Sequence, residues 1–90
     1  MSLANTIKYI QENAEGMLSS TVLEVSEFGL EWTLRPAGGP WWSIEMSEVT
    51  PEAVLYEHYV RVRLDDLEET VQRMLKMHRD FQPNGPEERA

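Results

Sequence analysis

The residues with the greatest chemical reach in this chain are His58 and His78, because imidazole is the side chain that exchanges protons near neutral pH. A hydrolytic triad needs a nucleophile, a histidine and an acid brought together, and a metal centre needs histidines, cysteines or carboxylates at ligand spacing. Neither histidine stands in such a pattern. No His-Glu-x-x-His run occurs, and the chain holds no cysteine. His58 falls on the apolar phase of an alternating segment and His78 beside the apolar stripe of a helical one, so both read as core or boundary residues. Asp65, Asp66, Glu68 and Glu69 form a carboxylate cluster, but at a helix start such residues cap the backbone and complement its dipole. Pro36-Ala37-Gly38-Gly39-Pro40 has the glycines of a phosphate cradle. A phosphate loop must feed a helix N-terminus, however, and both flanks here alternate as strands. The chain is therefore read as a non-enzyme, with no catalytic residue, metal ligand or cofactor site expected.

The elements that position these residues follow from hydrophobic period. Leu3, Ile7, Ile10, Ala14 and Met17 recur at spacings of four and three, which marks one face of a helix running to about Leu18 and capped by Ser2 or Asn5. The period then falls to two. Leu30, Trp32 and Leu34 alternate with Glu31, Thr33 and Arg35, and Trp42, Ile44 and Met46 alternate with Ser43, Glu45 and Ser47. These are two strands joined as a hairpin by Pro36–Pro40, preceded by a strand over Thr21 to Ser26 and the turn Glu27-Phe28-Gly29. After Thr50-Pro51-Glu52, a long strand from Val54 to Leu64 turns Val54, Tyr56, His58, Val60, Val62 and Leu64 inward, with room for a bulge. Asp65 or Asp66 then caps a second helix with the stripe Leu67, Val71, Met74, Leu75, His78 and Phe81, and Glu69–Arg73 as an i, i+4 pair. The expected fold is α+β and two-layered, in the order α-β-β-β-β-α. A four-stranded antiparallel meander carries both helices on its apolar face. Residues 1–81 form the single domain, and 82–90, with two prolines and a glycine, read as a disordered tail.

Ninety residues, 41% of them hydrophobic and 27% charged, suit one globular domain and exclude wholesale disorder. The net charge of −8 opposes a nucleic-acid partner. It is unevenly spread: residues 1–57 hold nine acidic and two basic side chains, and the remainder is nearly balanced. The absence of cysteine, of a signal-peptide pattern and of a long apolar run points to a cytoplasmic protein with no membrane segment.

Two features exceed what a solvated sheet face requires. Alternation sends Glu24, Glu31 and Glu45 to the polar face, and the simplest hairpin registers set Glu24 opposite Glu31 and Glu31 opposite Glu45 as a carboxylate row. A solvated face, a basic partner and a hard cation each account for such a row. Alternation also sends Trp41 outward, near Tyr59, with Leu55, Arg61 and Arg63 completing an amphipathic patch of the kind interfaces use. The leading expectation is a non-catalytic acidic interaction domain that binds a basic protein surface in an adaptor, inhibitor or immunity-type role. A homodimer through the same face is the first alternative. The second is a ligand or enzymatic pocket between sheet and helices, lined by Tyr56 and His58.

Overall fold

The computed structural model describes residues 2–81, so the tail expected over 82–90 lies outside the described residues. Ser2 starts the first helix: its Oγ accepts from the Asn5 N–H (3.0 Å) and its carbonyl from the Thr6 N–H (2.9 Å). Helix α1 spans Leu3–Asn13 and buries Leu3, Ile7 and Ile10. It ends earlier than its periodicity suggests. A 3-10 turn over Ala14–Gly16 follows, the Met17 N–H bonds back to Ala14, and the chain leaves extended, with Leu18 72% exposed.

Four strands, β1 (Leu23–Glu27), β2 (Leu30–Pro36), β3 (Trp41–Val49) and β4 (Val54–Arg63), form one antiparallel sheet in sequence order. Its inner face buries Val25, Leu30, Trp32, Leu34, Trp42, Ile44 and Met46, as strict alternation requires. The order α-β-β-β-β-α and the four-stranded meander are as expected.

The register of the outer face differs from the simplest one. β1 and β2 are joined by only two residues, Phe28 (φ +60°) and Gly29 (φ +74°), the left-handed pair of a type I′ turn. Glu27 therefore pairs with Leu30, and Glu24 faces Thr33 rather than Glu31. In the next hairpin Ala37 and Trp41 close the loop, the Ala37 N–H donating to the Trp41 carbonyl (2.8 Å), with Gly38 and Gly39 both at positive φ. The pairing centre moves by one residue, so Glu31 faces Ser47 and Glu45 faces Thr33.

Along the β3–β4 ladder the register breaks at Glu48/Val49: Glu48 faces Tyr56 and Val49 faces Val54, leaving Leu55 as the extra residue of a bulge. The bulge turns Val54 out of the inner set, and it is 58% exposed instead of buried. Asp65 and Asp66 lie inside a 3-10 turn, Leu64–Asp66, whose cap position is Arg63. They are therefore not the N-cap residues of the second helix. Helix α2 (Leu67–Phe81) continues directly from that turn and buries Leu67, Val71 and Met74. The Glu69–Arg73 pair forms at 3.2 Å on its exposed side.

Helix α1 is tied down near both of its ends. The α1 N-terminus is held by Glu27, whose Oε1 accepts from the Leu3 N–H at 2.6 Å, and Gln11 reaches the Leu64 carbonyl. Cover is uneven: the inner residues of β1 to β3 are mostly buried, whereas Tyr56, His58, Val60 and Val62 of β4 are only half-buried.

Candidate interaction surface

The outer sheet face is built of cross-strand rows. One row reads Glu24, Thr33, Glu45, Tyr59 and the next Ser26, Glu31, Ser47, Glu57. Each glutamate thus faces a hydroxyl or an aromatic ring, never another glutamate. Between the two rows the glutamates are diagonal neighbours, about 7–8 Å apart instead of about 5 Å for residues directly opposite. The expected carboxylate row is therefore a zigzag, Glu24–Glu31–Glu45–Glu57, that crosses all four strands. This spacing lowers the mutual repulsion while keeping the charge on one patch. Ser26 Oγ donates to Glu31 Oε1 at 2.7 Å. Among the described residues none of the four joins an ion pair, and no three metal-binding side chains converge.

Glu57 was not singled out by the sequence reading, although its place on the polar phase of β4, between Tyr56 and His58, is the signal that finds it.

The basic residues occupy the other end of the same face. Arg35 and Arg61 both pair with Ser43, and Arg63 pairs with Trp41. The Trp41 ring carries two guanidinium groups, with Arg61 Cζ 5.3 Å and Arg63 Cζ 5.6 Å from its centroid. Arg61 also donates to the Ala37 carbonyl at 3.4 Å. Trp41 does project to the polar face, but half-buried under these arginines. The structure does not gather Trp41, Tyr59 and Leu55 into one patch. Trp41 and Tyr59 are separated by the Ser43–Arg61 row, four residues or about 13 Å along the strands, and Leu55 lies as far again beyond Tyr59. Tyr59 stands beside Glu45 in the acidic half, 61% exposed, and Leu55 groups with Val49 and Val54 at the bulge.

Beneath the sheet, His78 meets Glu48 and Tyr56 rather than solvent. Its Nε2 lies 2.9 Å from Glu48 Oε1, and the Tyr56 and His78 rings pack edge to face at 5.0 Å. His58 points inward from β4, with Nδ1 shielded from solvent and lacking a hydrogen-bond partner among the described residues. Tyr56 and His58 do not line the cleft of about 340 Å³ between α1 and α2, which is bordered by Ile7, Lys8, Gln11, Phe28, Val71 and Gln72. No helix among the described residues is long and apolar enough to cross a membrane. Comparison of the chain with protein-family models, with curated proteins and with solved structures returned no match.

Proposed function

We propose that this protein is a non-catalytic interaction domain whose acidic half-face binds a basic surface on another protein, in an adaptor, inhibitor or immunity-type role. The observation that carries this reading is the glutamate zigzag: four carboxylates on adjoining rows with no cation paired to them among the described residues. An anionic patch of this kind steers a cationic partner and repels nucleic acid. Tyr59 supplies the exposed aromatic anchor within it. Trp41, with Arg61 and Arg63 above it, forms a second contact region at the basic end, where an acidic group of the same partner fits. The lack of cysteine suits a cytoplasmic setting.

The test is capture of partners from a lysate of the native organism on the immobilised full chain, followed by kinetics with the purified partner. Captured proteins should be basic at their contact surface, retained by Arg35→Glu and lost by the pair Glu31→Lys and Glu45→Lys. With the purified partner, Glu31→Lys should slow association and flatten its salt dependence, whereas Tyr59→Ala or Trp41→Ala should speed dissociation. Identical capture by the wild type and the glutamate-reversed protein rejects the reading.

A further inference from the structure

A sheet of four strands has two edges, and here they differ. β1 offers five residues and β4 ten. Long, flat, apolar edge strands are the ones that pair with another chain unless charge or a bulge prevents it. The β4 bulge lies at one end, near Leu55, and leaves the run from Tyr56 to Arg63 regular.

The open polar groups of this edge can be assigned. The Leu64 N–H donates to the Pro40 carbonyl across the ladder at 2.7 Å. In an antiparallel ladder successive residues turn alternately toward and away from their neighbour. Even-numbered residues of β4 therefore bond to β3, and the N–H and C=O groups of Glu57, Tyr59, Arg61 and Arg63 face the open edge. The same four side chains lie on the outer face of the sheet.

The charge pattern along that edge reverses about its centre. Two residues before Tyr59 stands Glu57, and two residues after it stands Arg61. A strand that meets a copy of itself antiparallel, with the two-fold axis at Tyr59, sets Glu57 against Arg61 of the second copy and Arg61 against its Glu57. On the inner side, Tyr56 then meets Val62 and His58 meets Val60. These four residues are half-buried, the helices covering them only in part, with His78 of α2 packed on Tyr56. Met77, 45% exposed, lies on the flank of α2 opposite the flank that lines the α1 cleft.

We infer that the protein forms a two-fold homodimer in which the β4 strands of two copies pair antiparallel about Tyr59, giving a continuous eight-stranded sheet. About six backbone hydrogen bonds close between the edges, from residues 57, 59 and 61 of each copy. Two Glu57–Arg61 pairs set the register, and the inner apolar residues of both copies cover one another. A second copy is the favoured occupant because an antiparallel self-pair needs a charge pattern that inverts on reversal, and this one does. The two-fold axis stands perpendicular to the sheet, so both outer faces look the same way. The dimer does not rest on the basic partner proposed above: it engages Glu57 of the acidic zigzag and leaves Glu24, Glu31 and Glu45 open on each outer face.

The test is sedimentation velocity on the full chain from micromolar to a few hundred micromolar, with circular dichroism to confirm that each variant is folded. The wild type should reach twice the monomer mass of 10.4 kDa. Glu57→Arg should weaken the dimer about tenfold or more, since each of two favourable pairs becomes a repulsive one. Adding Arg61→Glu to it should restore the wild-type constant. A Tyr59→Cys variant, carrying the chain's only thiol, should link to itself with a short bis-maleimide, and Leu55→Cys should not, because residue 55 lies opposite residue 63 of the second copy. A monomer throughout the concentration range overturns the inference. So does a dimer indifferent to Glu57→Arg, or one rescued by Arg63→Glu in place of Arg61→Glu.

Discussion

Nε2 of His78 lies 2.9 Å from Oε1 of Glu48, and this contact ties the last turns of α2 to β3 where the β3–β4 register breaks. The imidazole is mostly shielded, with 13% of its side chain exposed, and it also packs edge-on against Tyr56. His78→Ala removes both interactions and should cost about 1–3 kcal/mol in urea unfolding. Glu48→Gln should cost less, and the double variant should show a coupling energy above about 0.5 kcal/mol. Strictly additive effects would mean that the two side chains do not act as a pair.

Trp32 and Trp42 are both core residues, at 1% and 3% exposure, but they are held differently. Trp32 Nε1 donates to the Glu27 carbonyl at 3.2 Å, next to the β1–β2 turn. Either Trp→Ala change should cost about 3–5 kcal/mol. Trp32→Phe should additionally remove the donor to that carbonyl, a loss of about 1–3 kcal/mol, and so should exceed Trp42→Phe. Equal losses for the two phenylalanine variants would show that the indole bond contributes nothing.

Phe28 is a bulky residue at φ +60° in a turn type that favours Asn-Gly, and its side chain is 60% exposed. Phe28→Asn should relieve the backbone and raise stability by about 0.5–1 kcal/mol, which moves Tm up by a few degrees. A fall of more than 1 kcal/mol would instead show that the ring, which borders the α1–α2 cleft, packs against the helices more strongly than the turn strains.

Glu31 faces Ser26 and Ser47 rather than a like charge, and it accepts the Ser26 hydroxyl. Glu31→Lys thus gives up one exposed hydrogen bond and gains diagonal attraction to Glu24 and Glu45. Stability should stay within about 0.5 kcal/mol of the wild type while the surface charge reverses locally. A loss above 1 kcal/mol would mark Glu31 as a structural residue and remove it from the proposed binding face.

The elements and their buried faces were legible because burial is written in the period of the side chains. Leu3, Ile7 and Ile10 carry it at 3.6, and Trp32, Leu34, Ile44 and Met46 at 2. Register was not legible by the same signal. A slip of two residues keeps every side chain on its own face, so Glu24 against Glu31 and Glu24 against Thr33 satisfy alternation equally. Only the turns decide between them, and the β1–β2 turn places a phenylalanine where the chain normally demands asparagine or glycine. The scattering of Trp41, Tyr59 and Leu55 along the face has the same root, because distance along a strand is invisible to a pattern that records only sides. The half-covered state of β4 depends on where two helices settle over four strands, a packing outcome that no local period encodes.

The meander has a kinetic consequence. The strands are joined by two, four and four residues, so each ladder can close for a small loss of chain entropy before any distant segment arrives. Helix α1 is different: its ties to Glu27 and to the Leu64 carbonyl span 24 and 53 residues. The hairpins can therefore zip locally while α1 has to wait for a surface to dock on. Amides of β2 and β3, flanked by strands on both sides, should exchange with solvent most slowly, and those of α1 should open first. The N-terminal helix is the detachable cover of this fold, and the apolar face beneath it is what a partly opened molecule presents.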